Sequence, residues 1–257
     1  MKVLVTRPKA QAQAMIELLR KQGFQVQHHA CLDIVPVAPE SPNGLQSKQW
    51  AMDLDGFDHV IVISTNAAQH WLELVQDYWP QWPVGMHWWA MGETTQRALI
   101  DAGIDAARPK QGDTSEALLV DLLPLLKRHH KVLIIRGIGG RETLSQALKD
   151  AGATVSYAQC YERKMPALGP TCLTELDRFS PQAVMLQSGE TLSNFDQLFS
   201  AQRWCDKKSI VLVLPSSRVA TQAIQLGYKV SLTSGSASNQ AMCDTLLQQS
   251  RLQQIQK

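Results

Sequence analysis

Polar side chains and glycines follow the predicted β-strands of this chain at the points where helices are predicted to begin. Arginine and hydroxyl groups, together with the free backbone amides of a helix start, bind carboxylates and other anions. Serine, threonine and asparagine also act there as ordinary N-caps, but their recurrence along one sheet edge favours ligand contact for some of them. The candidate binding residues are Arg7, Ser64, Thr65, Asn66, Gly92, Thr94, Thr95, Arg136, Gly137, Gly139, Gly140, Ser188 and Ser216.

Tyr161 is the candidate for proton transfer, because it stands at the predicted end of a strand and the start of a connector. A phenol keeps its proton near neutral pH and can act as a general acid towards a departing hydroxyl group. A half-buried structural tyrosine is the alternative that the sequence leaves open. The chain has no Ser-His-Asp order, no paired-carboxylate motif and no lysine in an apolar strand, so it offers few strong acids or bases.

The glycine-rich turn that follows the apolar run 132–135 reads GIGGRE. It lacks the last glycine of a dinucleotide-binding GxGxxG turn, and the chain has no P-loop segment, so a nucleotide site is weakly supported. Gly139 and Gly140 either permit positive φ or present bare amides to an anion. Arg136 and Arg141 either frame the turn in solvent or hold a carboxylate, and Arg7 at an equivalent place favours the second interpretation.

Short β-prone runs alternate with helical segments, which is typical of parallel sheets with right-handed crossovers. Strands are predicted at 2–6, 24–28, 59–64 and 87–92, among others. A helix is predicted over 116–126, and the proline-bearing segment 31–44 is predicted to be an extended connector.

An internal repeat organises these elements. Arg7 aligns with Arg136 and Gly23 with Gly152, both at a shift of 129 residues, and the segment 59–67 matches 183–191. Such a duplication is a stronger indication of fold than any single motif. The sequence therefore predicts an α/β protein with two doubly wound parallel-sheet domains that are internally duplicated.

Composition excludes several classes of partner. The chain has 25 basic and 23 acidic side chains, a net charge of +2, so it lacks the basic excess of a nucleic-acid-binding protein. It shows neither a signal peptide nor an apolar run long enough for a membrane span, and we expect a soluble cytoplasmic protein without a membrane partner. The five cysteines form no CxxC pair, which favours reduced, buried thiols over disulfides or a zinc site.

Several of these motifs together resemble the uroporphyrinogen-III synthase family over essentially the whole chain. They are Val5-Thr6-Arg7-Pro8, Gly92-x-Thr94-Thr95, Arg136-Gly137-x-Gly139-Gly140-Arg141-Glu142 and Cys160-Tyr161-x-Arg163. The resemblance implies two α/β domains joined by a two-stranded connector. One domain comprises 1–35 and 170–257, the other comprises 40–160, and the connectors are 36–39 and 161–169.

The resemblance also implies the chemistry. Enzymes of this family convert the linear tetrapyrrole hydroxymethylbilane to uroporphyrinogen III, with loss of water, a spiro intermediate and inversion of ring D, in haem and sirohaem biosynthesis. Tyr161 matches the tyrosine implicated in protonating the leaving hydroxyl, and Ser64, Thr94 and the amides around Gly139 would line the cleft between the domains. No cofactor or metal is implied. The expected protein is a monomer, with transient contact to the preceding pathway enzyme as an option.

The sequence leaves several alternatives open. Ser216-Ser217-Arg218 replaces a turn that in the family often resembles Gly-Pro-Thr-Thr, so a hydroxyl contact from Ser216 and a carboxylate contact from Arg218 both stay open. A non-catalytic, two-lobed protein that binds a small anion would use the same edge residues, because fold does not fix function. A flavodoxin-like cofactor-binding protein is a third and weaker alternative.

Overall fold

The computed structural model describes residues 1–140 and 142–255, with side chains described as far as residue 251. Arg141 and the last two residues of the predicted segment 170–257 lie outside the described residues. The strands are β1 (Lys2–Val5), β2 (Gln25–His28), β3 (Asp33–Pro36), β4 (His59–Val62), β5 (His87–Ala90), β6 (Ala106–Ala107), β7 (Lys131–Gly137), β8 (Thr154–Lys164), β9 (Ala183–Met185), β10 (Val211–Leu214) and β11 (Val230–Thr233). The α-helices are α1 (Lys9–Lys21), α2 (Pro42–Met52), α3 (Thr65–Val75), α4 (Glu93–Asp101), α5 (Ser115–Leu122), α6 (Thr143–Asp150), α7 (Cys172–Phe179), α8 (Gly189–Phe199), α9 (Ser217–Gln225) and α10 (Asn239–Ile255).

The chain divides into two compact units. Unit 1 comprises Met1–Asp33 and the described part of Lys164–Lys257. Its sheet has the order β11-β10-β9-β1-β2, and every neighbouring pair of strands is parallel. Alternate strand residues face opposite sides, so one face packs on α1 and α10 and the other on α7, α8 and α9.

Unit 2 comprises Ile34–Arg163 and contains a six-stranded sheet with the order β3-β8-β7-β4-β5-β6. The strand pairs from β8 to β6 are parallel. One face packs on α2, α3 and α4, and the other packs on α5 and α6. Helices therefore cover both faces of each sheet, and the strands are apolar on both sides, as expected for buried parallel sheets.

The two sheets repeat one topology, which confirms the predicted duplication. Strands β2-β1-β9-β10-β11 of unit 1 correspond in order to β8-β7-β4-β5-β6 of unit 2. In each sheet the chain winds outward in both directions from a central pair, β1 and β9 in unit 1 and β7 and β4 in unit 2. Open sheets of this kind bind ligands beyond the carboxyl ends of their strands, where the winding direction reverses. The fold thus marks one such point in each unit.

Three sequence predictions differ from the structure. The segment 31–44 is not wholly extended, because α2 begins at Pro42, with the Ser41 hydroxyl accepting a hydrogen bond from the Gly44 amide at 3.1 Å. The helix predicted over 116–126 ends at Leu122 and continues as a short 3-10 turn that contains Pro124. Tyr161, predicted to stand at the end of a strand, lies within β8, which continues to Lys164.

All five cysteines are buried and form no disulfide, which confirms the prediction of free thiols. Within the described residues, none of the helices combines the length and apolar character that a membrane crossing requires.

Three histidines cluster at the amino edge of the unit 2 sheet: His59, His87 and His130. His59 is fully buried, and its Nε2 lies 3.1 Å from Nδ1 of His130 while its ring stacks on His87 at a centroid distance of 5.3 Å. Burial, followed by the charges of His87 and His130, lowers the pKa of His59 to about 4, against an opposing effect of Asp58. His59 is therefore neutral in the folded protein at pH 7.

We expect the unfolding free energy to decrease as the pH falls from 6.5 towards 4. His59 has its ordinary pKa of 6.5 in the unfolded chain and a lower one in the folded chain. The unfolded chain therefore binds the extra proton in this range, and acid favours unfolding. His59→Leu should reduce the pH dependence of urea unfolding by on the order of 2 kcal/mol.

His129→Asn is the matched control, because His129 is exposed and its φ of 68° is one that asparagine tolerates. It should keep the parental pH dependence. An equal pH dependence in the parent and in His59→Leu would contradict the prediction.

Candidate active site

Tyr161 is held in place by a hydrogen bond to the start of α3 in unit 2. Its side chain is 1% exposed, and its Oη shares a hydrogen bond of 3.2 Å with Oγ of Ser64. Ser64 is also the N-cap of α3, where its Oγ accepts a hydrogen bond from the Ala67 amide at 3.1 Å. The start of α3 therefore fixes the position of the phenol oxygen.

A β-bulge determines the direction in which Tyr161 faces. Arg136 pairs with Gln159, but the next residue of β7, Gly137, pairs with Tyr161, so β8 contains one extra residue. Tyr161 consequently packs on the α3 face of the sheet, whereas Tyr157 packs on the opposite face. Bulges next to active sites often redirect a side chain in this way.

Gly137 provides the space that the Tyr161 ring occupies. A Cβ at residue 137 would lie 2.7 Å from both Cε2 and Cζ of the ring. The Ile138 amide also donates a hydrogen bond of 2.7 Å to the carbonyl oxygen of Tyr161. This glycine is therefore required for close packing, not for an unusual φ.

Two cationic or ionisable side chains border the Tyr161 ring. The ring of His70, on α3, lies 5.9 Å from it, and Nδ1 of His70 lies 3.2 Å from Oε2 of Glu73. The guanidinium carbon of Arg163 lies 5.9 Å from the ring centroid, within cation–π range. Sequence reasoning placed Arg163 in a motif but did not identify His70, because its approach to Tyr161 depends on the bulge.

The next turn brings two predicted hydroxyls together. Thr65 donates from Oγ1 to Oγ1 of Thr94 at 3.2 Å, and both threonines are exposed. Gly92 precedes α4 with φ of 98°, a conformation that favours glycine. Thr95 is only 2% exposed and packs inside unit 2, whereas Asn66 is half-buried. Thr65 and Thr94 are therefore the accessible pair.

The glycine turn is braced by Arg136, which is 4% exposed. Its Nη1 lies 3.1 Å from Oε1 of Glu142, and its Nη2 donates to the Gly139 carbonyl. Gly139 and Gly140 have φ of 76° and 104°, and a Cβ on Gly140 would lie 2.3 Å from Nη2 of Arg136. The guanidinium of Arg136 therefore stabilises the conformation of the turn through its contacts with Glu142 and Gly139.

Tyr157, Glu142 and Ser145 complete a network that sequence reasoning did not identify. Oε2 of Glu142 accepts hydrogen bonds from Tyr157 and, at 3.0 Å, from Ser145. These two bonds lower the pKa of Glu142, and burial followed by the bond to Glu142 raises the pKa of Tyr157. Arg136 lies 5.0 Å from the Tyr157 ring centroid. The feature of the sequence that could have indicated Tyr157 is its position on the same strand as Tyr161.

A cavity of about 230 Å³ opens among these groups at the carboxyl edge of the unit 2 sheet. It lies at the reversal point between β7 and β4. Its lining includes Gly137, Gly139, Gly140, Tyr157, Tyr161 and Arg163. The cavity thus combines a phenol, backbone amides and a guanidinium, which together can bind an anion and donate a proton.

The predicted residues of unit 1 lie at the carboxyl edge of its own sheet. Ser188 caps α8 by accepting a hydrogen bond from the Thr191 amide at 3.1 Å. Ser216 has the extended backbone of an N-cap but makes no capping hydrogen bond with its side chain. Nη2 of Arg7 donates to the Ala237 carbonyl at 2.5 Å. Arg218 is exposed at the start of α9.

Comparison with known proteins identifies the family. The family model described as uroporphyrinogen-III synthase HemD matches residues 13–244. The chain belongs to the uroporphyrinogen-III synthase family. A uroporphyrinogen-III synthase from Salmonella typhimurium is 30% identical over 261 residues, covering 96% of this chain and 100% of the relative. The synthase from Escherichia coli is 29% identical over the same length, with the same coverage.

Solved structures of uroporphyrinogen-III synthases show the same fold. The Helicobacter pylori enzyme aligns with a TM-score of 0.63 at 16% identity, covering 96% of this chain and 99% of the other. A mutant enzyme from Thermus thermophilus aligns with a TM-score of 0.60 at 16% identity and 99% coverage of both. The predicted family and the α/β fold class are thus confirmed, whereas the roles of individual residues remain predictions.

Proposed function

We propose that this chain is a lyase that converts hydroxymethylbilane to uroporphyrinogen III, as the names of its relatives indicate. The observation that carries the proposal is the phenol of Tyr161, fixed at a cavity with an amide-rich turn, in a chain matched to the family along most of its length. The chemistry implied by the family asks for one proton donor and many anion contacts. The phenol of Tyr161 and the amide-rich turn at the carboxyl edge of unit 2 support these two roles.

The first step is loss of the terminal hydroxyl group of the substrate. The pyrrole nitrogen supplies the electron pair that breaks the C–O bond, and Tyr161 donates its proton so that water leaves. The resulting azafulvene carbon then bonds to the substituted carbon of ring D. The spiro intermediate fragments and recloses with ring D inverted, and a proton lost from carbon restores the donor.

The remaining groups bind and orient the substrate. The cavity volume of about 230 Å³ is below the roughly 300–1,000 Å³ of typical ligand pockets, so it would receive one part of a linear tetrapyrrole. The amides of Gly139 and Gly140 would bind a carboxylate there, and the hydroxyls of Thr65 and Thr94 would bind a second polar group. Holding the reacting ends together removes much of the entropic barrier.

In unit 1 we propose that Arg7, Ser188 and Ser216 contact acetate or propionate groups of the substrate. Ser216 supports this role because its side chain makes no capping hydrogen bond. The steps above require proton transfer and orientation, and no cofactor takes part in them.

We further propose a monomer that acts in the cytoplasm and makes transient contact with the enzyme that supplies its substrate.

The test is an isomer assay. Freshly prepared hydroxymethylbilane closes spontaneously to the type I isomer, whereas the proposed enzyme yields type III. Purified protein should give type III at a rate that is proportional to protein concentration. Formation of type I alone would show a protein that at most binds the substrate.

A further inference from the structure

Two polar residues follow the neighbouring strands β1 and β9 at the reversal point of the unit 1 sheet. Val5 of β1 pairs with Met185 of β9, so Arg7 and Gln187 each lie two residues beyond this pair. The Thr6 hydroxyl, one residue beyond the pair, still donates to the Met185 carbonyl at 2.6 Å. This point corresponds in the duplicated fold to the β7 and β4 ends that frame the cavity of unit 2.

Gln187 is half-buried as a residue, but both polar atoms of its side-chain amide are buried. Neither its Nε2 nor its Oε1 has a hydrogen-bond partner among the described residues, and the same is true of Nε of Arg7. Oδ1 of Asn239, in the first residue of α10, is a fourth such atom. Burying polar atoms without partners costs free energy, and native proteins accept that cost mainly where the atoms have another role.

The fold itself does not require an amide at this position. In the internal repeat, 183–191 matches 59–67, so Gln187 corresponds to Ile63. Ile63 packs against the apolar clusters of unit 2, where it also lines the cavity. An apolar residue therefore serves the equivalent position, and the unpaired amide in unit 1 points to a ligand.

The three unpaired groups on Arg7 and Gln187 define the chemistry of that ligand. A carboxylate can accept hydrogen bonds from Nε of Arg7 and from Nε2 of Gln187. An N–H group can donate a hydrogen bond to Oε1 of Gln187. Partial burial also lowers the pKa of the Arg7 guanidinium. A chain of pyrroles with acetate and propionate side chains carries both carboxylates and N–H groups.

We infer that Arg7 and Gln187 form a subsite that binds one carboxylate and an adjoining pyrrole N–H of the substrate. The inference rests on the proposed function and adds Gln187 as a residue that determines how the substrate is bound. Gln187 touches the substrate in this account but takes no part in proton transfer.

The test combines kinetics with stability in Gln187→Met, which keeps the approximate size of the side chain. We expect KM for hydroxymethylbilane to rise roughly tenfold, the factor for losing a hydrogen bond to a charged group, with kcat within about twofold of the parent. The melting temperature should stay equal or rise, because an unpaired buried amide is removed. Gln187→Glu should raise KM further, since its charge repels the carboxylate.

Gln182→Ala is the control, because Gln182 immediately precedes the same strand at its opposite, amino end. Its side chain accepts a hydrogen bond from the Lys2 amide at 2.9 Å. It should leave KM unchanged. An unchanged KM in Gln187→Met would overturn the inference, and a fall in melting temperature beside that unchanged KM would indicate a structural amide.

Failure of the proposed function is distinguishable from failure of this inference. If the parent protein forms no type III isomer, the subsite is tested by binding of uroporphyrin, the oxidised form of the product, followed by tryptophan fluorescence. A roughly tenfold weaker binding in Gln187→Met supports the subsite, on the same reasoning about a charge-assisted hydrogen bond. Equal binding overturns it.

Discussion

Tyr161→Phe should lower kcat for type III formation by roughly 10²-fold, the lower end of what a positioned general acid contributes. The substitution removes only the phenol oxygen, so the ring still fills the space beside Gly137 and His70. Loss of the hydrogen bond to Ser64 should cost about 1 kcal/mol of stability, and the fold should persist. Initial rates by separation of the isomers, together with thermal unfolding, would measure both effects.

Tyr78→Phe is the control, because Tyr78 is a half-buried tyrosine of unit 2 outside the cavity lining. It should keep the parental kcat. A parental kcat in Tyr161→Phe would assign the proton to water or to the substrate, and Tyr161 would then be a packing residue.

Gly137→Ala should produce the second large effect, through the position of the same phenol. The new Cβ would lie 2.7 Å from the Tyr161 ring, a distance that forces the ring to move. Overpacking of this kind costs about 1–3 kcal/mol of stability. A displacement of about 1 Å at a reacting group can lower the rate by roughly 10²-fold, so we expect kcat to fall by that order.

Gly56→Ala tests whether any added methyl group would do the same. A Cβ at residue 56 meets nothing within 4 Å, and this glycine does not have positive φ. The kcat and the melting temperature of Gly56→Ala should match those of the parent.

The effects of Gly137→Ala and Tyr161→Phe should not be additive. Adding Gly137→Ala to Tyr161→Phe should lower kcat less than it does in the parent, because both changes act on one group. Full additivity of the two losses would contradict this coupling.

Much of the fold follows from local sequence rules. The internal repeat predicted two sheets of one topology, because strands of the same pattern recur in the same order around Arg7 and Arg136. Ser64 and Ser188 occupy helix starts because their hydroxyls satisfy the free amides there. Segment 31–44 was predicted less well, because its prolines suggested an extended chain although Ser41 and Pro42 form a good helix start.

The site itself depends on features that sequence spacing does not reveal. Period-two alternation would place Tyr157 and Tyr161 on one face of β8, and only the extra residue opposite Gly137 separates them. The contacts of Tyr161 with Ser64 and His70 follow from that bulge. Likewise, Gln187 gave no signal in sequence, because its burial without partners is a property of the folded edge.

The most direct test of the whole account is the isomer composition formed from fresh hydroxymethylbilane by the parent protein and by Tyr161→Phe, at equal protein concentrations. We expect type III as the main product of the parent, and a return towards type I in the variant because spontaneous closure then competes. Type I alone from the parent would contradict the proposed enzyme, and type III at the parental rate from Tyr161→Phe would contradict the role given to the phenol.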